Sequence, residues 1–368
     1  MEEFNGIPQL EDCLLKRIFE YVRERSKAPD IIIFWSIVSL LGSALKDKIM
    51  IDWAVKPIFA NIPLLIVAPS GWGKTGAIRA AENIFNGCLP FQISEDSTAE
   101  SAIRQFADMP FKSKKASCAF WLVPELADIF GKKDYQSGLI QRITRLLDSP
   151  KDHKVARMKG GKYVTHTIKG YAVLTWIACT TFEWLANHVD ESMSTGGFLP
   201  RLLTIYSDDL PKKNSNPVRN REIENSLNLA IKTTISAKKE EVLALDEAVI
   251  TCLDKHYEDM ISANGDSSQP FIARRDENFL RIYLVFKLFT KLSQPYALIS
   301  QVENCCKSFE AMSLYLYKKI YIYKTRNYDS DLFASLYKKL AKCVSETISY
   351  AKICRDLRCQ SARLKPVL

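Results

Sequence analysis

Hydrophobic and polar residues follow three patterns along the chain. Residues 9–48 have the apolar spacing of two or three helices. From about 58 to 206, short apolar runs such as IPLLIVA, SCAFWLV and GYAVLTWIACT alternate with helical stretches. After Glu222 the pattern is helical, apart from the polar linker SANGDSSQP at 262–270. Alternating strands and helices predict a three-layer α/β domain with a largely parallel sheet, flanked by helical segments.

The changes of pattern divide the 368 residues into four predicted units. A polar loop, SDDLPKKNSNPVRNRE, ends the α/β region and indicates a boundary. The units are an N-terminal helical segment (1–55), an α/β core (56–222), a second helical unit (223–328) and a basic C-terminal unit (329–368).

The most apolar predicted helix is IIIFWSIVSLLGSAL at 31–45. A helix that spans a bilayer needs about 20 apolar residues, and this run is shorter and contains serines and a glycine. Pro29 and Asp30 suit the start of a helix. We therefore expect a buried helix and no membrane partner, with an interfacial or membrane segment as the alternative.

Charge changes the picture at the C-terminus. The net charge of the chain is +9. From Lys318 to Leu368, twelve Lys and Arg stand against four Asp and Glu, a net charge of +8. This asymmetry favours a polyanionic partner, although a solvated basic tail has the same composition.

Cysteine spacing argues against a zinc site. The ten cysteines form no C-x-x-C pair, and four histidines are available as further ligands. Several cysteines lie inside apolar runs, as in VLTWIACTT, where cysteine behaves as a small buried hydrophobe. Since the N-terminus also lacks a signal-peptide core, we expect a reducing, cytoplasmic compartment.

The motif with the clearest chemistry is APSGWGKT at 68–75, directly after the run IPLLIVA. It fits G-x-x-x-x-G-K-[ST] with alanine at the first glycine, and small residues let backbone N–H groups close around a β-phosphate. Lys74 would neutralise the β- and γ-phosphates, and Thr75 would bind Mg²⁺. An ordinary strand-to-helix turn is the alternative. The predicted ATP-binding residues are Pro69, Ser70, Gly71, Trp72, Gly73, Lys74, Thr75 and Gly76.

A second apolar strand carries the candidate base. Such ATPases have a strand ending in Asp-Glu, in which the aspartate holds the magnesium shell and the glutamate polarises water. In CAFWLVPELAD (118–128), Glu125 takes the glutamate position and Pro124 replaces the aspartate. Asp128 or Asp148 could supply the missing carboxylate. A surface glutamate after a buried strand is the alternative for Glu125.

Taken in order, these segments resemble those of AAA+ replicative helicases of the mini-chromosome-maintenance-like group. They resemble still more closely the primase-helicase ATPases of phages, plasmids and mobile elements. The resemblance covers about 56–320 and implies an AAA+ core in which the second helical unit (223–328) is a lid. It also implies a β-hairpin from Val155 to Ile168, with Gly160-Gly161 as its turn, that projects into a central pore. Near that turn, Arg157, Lys159 and Lys162 would contact the phosphates of a strand, with a plain surface hairpin as the alternative.

The resemblance implies three further roles. Thr180, at the end of YAVLTWIACTT, takes the place of a polar sensor that is usually asparagine. Arg201, in GGFLPRLLTIY, matches an arginine that reaches the γ-phosphate of the neighbouring subunit, and an internal salt bridge is the alternative. Arg274, in FIARRDENFLR, matches the sensor-2 arginine of the lid, with Arg275 as a one-residue alternative.

The last residues, SYAKICRDLRCQSARLKPVL (349–368), have the spacing of a helix-turn-helix, similar to a minimal winged helix. Arg363 and Lys365 would lie on its second helix and face DNA. A basic amphipathic pair of helices that docks on the subunit is the alternative.

The sequence thus predicts an ATP- and Mg²⁺-dependent DNA motor, a replicative helicase of a mobile element or phage that forms a homo-oligomeric ring, with a hexamer expected. Single-stranded DNA would pass through the pore and duplex would bind at the C-terminus, with a primase or polymerase as a further partner. The alternative, favoured by Pro124, is a nucleotide-gated DNA-binding or loader protein with weak turnover that recruits a replication or transposition partner. A small-molecule kinase is a third hypothesis, for which the sequence marks no acceptor pocket.

Overall fold

The computed structural model describes residues 6–53, 56–111, 115–130, 136–159, 162–188, 197–214, 217–238, 241–263, 269–292 and 294–342. The described residues form twelve α-helices and nine strands. The predicted α/β class with a parallel sheet is confirmed.

The main sheet is built around the strand that precedes the candidate phosphate loop. Its order is β4 (Phe91–Gln92), β5 (Ala116–Val123), β7 (Lys162–Thr180), β3 (Leu64–Val67) and β8 (Leu203–Tyr206), and all these neighbours are parallel. Because β7 lies between β3 and β5, the carboxyl ends of these three strands are adjacent. Thr180 pairs with Val67 and Ala178 pairs with Val123 at that edge. Ligands of open α/β sheets bind at this edge.

Alternating residues of β3 pack into different layers, as a sheet covered on both faces requires. Leu64 and Ile66 belong to a core shared with α2 (Asp30–Leu45) and α3 (Lys74–Glu82). Leu65 and Val67 belong to a second core on the other face. The helices of that second face include α4 (Ala99–Asp108), α5 (Leu126–Phe130), α6 (Gln136–Leu147) and α7 (Phe182–His188). The predicted three layers are therefore present.

The helix α2 is the centre of the first core. Every residue from Ile32 to Leu45 is buried, and Trp35 stacks on Phe286 with ring centroids 6.3 Å apart. The helix crosses the chain so closely that a Cβ on Gly42 would lie 2.0 Å from a backbone oxygen, that of Ala60. The prediction of a buried helix is confirmed. Within the described ranges, no helix combines the length and apolar character needed to cross a membrane.

A small second sheet departs from the sequence prediction. After α1 (Leu14–Arg23) and α2, the chain forms the hairpin of β1 (Ile49–Trp53) and β2 (Lys56–Phe59). The strand β9 (Glu241–Leu243) pairs in parallel with β1. The strand at 49–53 follows the predicted helical stretch (9–48) inside the unit that the sequence analysis called helical, and the prediction of helix after Glu222 was wrong at 241–243. A three-residue strand at a sheet edge is too short to show a period of two, so its pairing depends on a distant partner.

The hairpin predicted before Thr180 is confirmed. The strand β6 (Lys151–Lys159) pairs antiparallel with the first half of β7, and Lys159 stands opposite Lys162. The predicted turn, Gly160-Gly161, lies outside the described residues. Gly170 adopts φ +67° where β7 leaves the hairpin and enters the parallel sheet, and a Cβ there would lie 2.4 Å from the oxygen of Lys115. A glycine is required at that crossing.

Helices complete the structure after the sheet. They are α8 (Arg221–Ser236), α9 (Glu247–Ser262), α10 (Gln269–Ile272), α11 (Arg275–Phe289) and α12 (Pro295–Lys342). The backbone of α12 runs without interruption through residue 329, where the sequence places a domain boundary. The predicted helix-turn-helix, with Arg363 and Lys365, lies outside the described residues.

Candidate functional site

The loop between β3 and α3 has the backbone that a phosphate-binding loop needs. Gly71 and Gly73 adopt φ values of +82° and +76°, which side-chain-bearing residues rarely do. A Cβ added at Gly71 or at Gly76 would meet nothing within 4 Å, so one side of the loop is open. The first N–H groups of α3, at Lys74 and Thr75, have no partners within the helix and give its amino end a positive dipole.

Lys74 is buried inside this loop. Its ammonium group donates hydrogen bonds to the carbonyl oxygens of Ala68 at 2.7 Å and Pro69 at 3.0 Å. Burial lowers the pKa of Lys74, and the nearby Cys179, Glu125 and Glu183 oppose that shift. Two carboxylates therefore lie close enough to act on the lysine.

Neighbouring segments hold the loop in place. The indole N–H of Trp72 donates to the backbone oxygen of Asp209, just after β8. On the other side, a Cβ at Gly73 would lie 3.3 Å from the backbone nitrogen of Ala28. Of the other predicted loop residues, Ser70 and Gly76 are exposed, and Pro69 and Thr75 are half-buried. These contacts hold the loop at its sides, while Ser70 and Gly76 face solvent.

The ends of the adjacent strands bring the predicted catalytic residues to the loop. Glu125 follows β5, and burial raises the pKa of its carboxyl group, with Lys74 opposing and Asp128 adding to the rise. Thr180 is fully buried, and its backbone oxygen accepts a hydrogen bond from the N–H of Ala68 at 3.2 Å. The structure thus brings Lys74, Glu125 and Thr180 together.

Glu183 is a neighbour of the loop that the sequence analysis missed. It lies in the first turn of α7, three residues after the strand that ends at Thr180. The second carboxylate was predicted at Asp128 or Asp148, and the helix that follows β7 was left out. Its approach to the loop depends on β7 lying next to β3, and local sequence pattern does not show that strand order.

Asp148 does not belong to this group of acids, although the sequence analysis named it as a candidate carboxylate. It binds Arg201 through two hydrogen bonds of 2.8 Å, from Nε to Oδ1 and from Nη2 to Oδ2. The same arginine donates to the oxygen of Gly197 at 2.6 Å. The Nη1 group of Arg274 lies 3.3 Å from Asp148 and 3.2 Å from Glu277. The suggestion that Asp148 holds magnesium is therefore wrong, because its oxygens are engaged by arginines.

Two more cations complete what we call the arginine cluster. Lys56 lies 3.0 Å from Glu277 and 3.8 Å from Asp148. The buried Arg281 donates to the oxygen of Leu147 at 3.0 Å and lies 3.6 Å from Glu277. The cluster comprises Lys56, Arg201, Arg274, Arg281, Asp148 and Glu277, four cations and two carboxylates with a net charge of +2. Burial alone would raise the pKa of Asp148, but its arginine and lysine neighbours outweigh burial and lower it.

The arginine cluster and the phosphate loop lie at opposite edges of the main sheet. Leu203 pairs with Leu64 and Tyr206 with Val67, so Arg201 precedes the strands at the edge opposite to the loop. Arg274 contacts the same Asp148 as Arg201. Within one chain, neither arginine converges on the loop that holds Lys74. Arg201 instead makes the internal salt bridge that the sequence analysis gave as its alternative.

Arg275, the alternative to Arg274, has a structural environment. It is buried and binds Glu310 through hydrogen bonds of 2.5 and 2.6 Å. It also bonds to Asp259. These contacts join α9, α11 and α12, so Arg275 does not qualify as a nucleotide sensor.

The positions predicted to contact a DNA strand lie on the hairpin. In its register, Lys159 is opposite Lys162, and Arg157 stands two residues from Lys159 on β6. Because a strand has a period of two and paired positions share a face, the three positions fall on one face of the hairpin.

Comparisons with known proteins give little further information. No protein-family model and no curated protein matches the chain. Among solved structures, the chain is similar to one described as "SCCmec type IV Cch - active helicase", with 10% sequence identity and a TM-score of 0.37. The similarity covers 85% of this chain and 53% of that one, so the chain spans about half the length of that protein.

Proposed function

We propose that the protein is an ATPase that uses hydrolysis to move along or open DNA. The observation that carries the proposal is the convergence of Lys74, Glu125 and Thr180 at the carboxyl edge of the sheet, around a loop with two left-handed glycines. Each of these groups belongs to a different strand end, as expected where a parallel sheet binds a ligand.

The chemistry follows from the positions of these groups. The ammonium of Lys74 would leave its two carbonyl partners for the β- and γ-phosphates, which also receive backbone N–H groups from the amino end of α3. Glu125 would polarise the attacking water, and the burial that raises the pKa of its carboxyl group makes it a stronger base. Thr180 would orient that water with its hydroxyl.

Oxygen donors beside the loop would hold a magnesium ion. The hydroxyl of Thr75 at the start of α3 would be one ligand, and a carboxylate would be another. Since Pro124 replaces the usual aspartate, we assign the second carboxylate to Glu183, which lies in the first turn of the helix after β7 and whose charge acts on Lys74. Bound magnesium would neutralise charge on the phosphates.

The arginine cluster supports a site shared between subunits. Its net charge of +2 and its place at the edge opposite to the loop suit a phosphate that another subunit presents. Asp148 would hold Arg201 and Arg274 at that surface. Such a head-to-tail interface closes into a ring when the rotation allows it. We propose a hexamer on the resemblance alone.

DNA would contact the hairpin and the basic C-terminus. The positions of Arg157, Lys159 and Lys162 on one face of the hairpin support contact with a single strand in the pore. The excess charge of the C-terminal residues supports duplex binding by a helix-turn-helix that includes Arg363 and Lys365. The lid (223–328) and the C-terminal unit (329–368) remain proposed domains, and a primase or polymerase is a proposed partner.

A nucleotide-gated loader is the second candidate. Pro124 and the internal pair of Arg201 with Asp148 both favour it, since each weakens the case for rapid turnover. Steady-state ATPase rates with and without single-stranded DNA distinguish the two. Stimulation by several-fold supports the motor, whereas ATP binding with negligible turnover supports the loader.

A further inference from the structure

Three metal-ligating side chains of different chemistry meet among the helices that follow the sheet, away from the strand ends that carry the loop. Cys252 and His256 lie on α9, and Glu303 lies on α12. The sulfur of Cys252 is 3.6 Å from Nε2 of His256 and 3.8 Å from Oε2 of Glu303. The four-residue spacing puts Cys252 and His256 on the same face of α9. Their ligand atoms all lie within 4.8 Å of one another.

His256 is oriented from behind by a fourth residue. Its ring is buried, and Nδ1 lies 2.7 Å from Oδ1 of Asp276 on α11. That contact aims Nε2 at Cys252 and Glu303. A carboxylate bonded to the far nitrogen of a ligating histidine is the usual second shell of a protein metal site.

The spacing suits a tetrahedral ion. Zinc bonds of about 2.0 Å to nitrogen or oxygen and about 2.3 Å to sulfur place neighbouring ligand atoms roughly 3.3–3.6 Å apart. Both distances from the sulfur of Cys252, 3.6 and 3.8 Å, are close to this range. The third distance, 2.5 Å between His256 and Glu303, is a hydrogen bond that would have to open. A rotation of the Glu303 carboxylate is sufficient to lengthen the distance between Nε2 of His256 and Oε2 of Glu303 by about 0.8 Å, to the spacing of two zinc ligands.

Charge is balanced when a divalent ion is present. The ammonium of Lys307 lies 2.9 Å from Oε1 of Glu303. A divalent cation and Lys307 together would offset a Cys252 thiolate, Glu303 and Asp276. Cys252 and Glu303 are partly exposed, so a water molecule can reach the fourth position.

We propose that Cys252, His256 and Glu303 bind one Zn²⁺ ion, with Asp276 as the positioning residue for His256. The ion would join α9 to α12 and stabilise the helical unit, independently of the nucleotide chemistry. A sequence search for C-x-x-C pairs misses such a site, because Glu303 follows His256 by 47 residues.

The competing arrangement is a metal-free ion triad. In that arrangement burial disfavours the imidazolium, but hydrogen bonds with Asp276, Cys252 and Glu303 outweigh burial and raise the pKa of His256 to about 11. To bind at this site, a metal must displace the proton on Nε2 of His256 and the proton of the Cys252 thiol.

Cobalt titration of the full, untagged chain tests the proposal, since Co²⁺ reports thiolate and tetrahedral ligation by its absorbance. We expect one equivalent to bind, with a thiolate-to-cobalt band that zinc abolishes by displacement. Cys252→Ser should remove that band, and Asp276→Asn should weaken metal affinity roughly 10- to 100-fold. Cys305→Ser is the matched control, because Cys305 is buried on α12 two residues from Glu303 and is not among the clustered ligand atoms.

Three results would overturn the site. The first is a wild-type protein with no thiolate-to-cobalt band, a measurement that needs no variant to fold. The second is a band of unchanged intensity in Cys252→Ser, which would assign the metal to other cysteines. A His256 ring that keeps protons on both nitrogens in excess zinc, seen by NMR, would establish the ion triad instead.

Discussion

Arg201 and Lys74 lie beyond opposite ends of two neighbouring parallel strands. Leu203 pairs with Leu64 at the start of these strands, Arg201 precedes them, and the loop with Lys74 follows them. The strands alone separate the two edges by about 10 Å. Since the sequence predicts a γ-phosphate contact for both residues, either two chains share the site or Arg201 has a structural role.

Mixing two inactive variants decides between these roles. Arg201→Ala should retain ATP binding and lose turnover, and Glu125→Gln should do the same for a different reason. If sites are shared, an equal mixture regains activity, because roughly a quarter of its interfaces combine an intact Glu125 with an intact Arg201. The measurement is the ATPase rate of each variant and of the mixture. Arg142→Ala, at an exposed ion pair with Glu100, is the control.

A purely structural Arg201 gives a different result. The mixture would stay inactive, and Arg201→Ala would lower the free energy of unfolding. Arg201 helps to lower the pKa of Asp148 in the folded protein, so its contribution to stability is present above the unfolded pKa of the aspartate. That contribution is lost as the pH falls through the folded pKa. Urea denaturation at neutral and acid pH would show the difference in stability between the variant and the wild type shrinking toward acid.

Lys74→Ala should abolish detectable ATP binding or weaken it by roughly 10- to 100-fold, because charge-assisted hydrogen bonds contribute about 1.5–3 kcal/mol each. Calorimetric titration with ATP and Mg²⁺ measures the change. Lys16→Ala removes a partly exposed lysine on α1, paired with Glu20, and serves as the control. An affinity equal to that of the wild type would refute the assignment of the loop.

Local pattern accounts for the parts of the fold that the sequence predicts. The strand Leu64–Val67 is apolar and buried throughout, and the motif that follows specifies its own turn through Gly71 and Gly73. Each of these features lies within about ten residues, where backbone preference and burial act together. The buried helix α2 was predictable for the same reason.

Contacts between distant residues were not predictable from pattern. Arg201 pairs with Asp148, 53 residues away in the chain. From the sequence alone, the guanidinium group could equally have paired with an anion of a neighbouring chain. The three-residue strand β9 forms against β1, and its sequence carries no period to reveal it. Glu183 approaches Lys74 because β7 lies next to β3, a strand order that depends on how the layers pack.

Two helical glycines should respond oppositely to alanine. Gly42→Ala would place a Cβ 2.0 Å from the oxygen of Ala60, so the buried helix must move. Overpacking of this kind costs about 1–3 kcal/mol. Gly76→Ala meets nothing within 4 Å and gains helix propensity of up to about 1 kcal/mol. Urea unfolding of the nucleotide-free protein measures the change in the free energy of unfolding for each variant. If Gly42→Ala changes it no differently from Gly76→Ala, the close approach at Gly42 is contradicted.

Removal of residues 343–368 should weaken binding to duplex DNA and flatten its dependence on salt. The cut leaves every described residue of α12 in place, since the described part of that helix extends to Lys342. For every phosphate that the shortened chain no longer neutralises, the slope of log K against log salt becomes shallower by about 0.9. In the double variant Arg363→Ala, Lys365→Ala, the slope of log K against log salt should become shallower by about 1.8 if both side chains bind phosphates. An unchanged slope after the deletion would remove the C-terminal helix-turn-helix from the proposal.

Glu183→Gln tests which carboxylate replaces the aspartate missing at Pro124. We expect a lower kcat and a higher requirement for Mg²⁺, because a neutral amide is a poorer ligand for a hard cation. Asp128→Asn is the matched variant. Asp128 helps to raise the pKa of Glu125, but it is not among the groups that shift the pKa of Lys74. ATPase rates across a magnesium titration separate the two. If Glu183→Gln needs no more Mg²⁺ than the wild type and Asp128→Asn needs more, Asp128 on α5 is the carboxylate that binds magnesium. Glu183 would then act on Lys74 through charge alone.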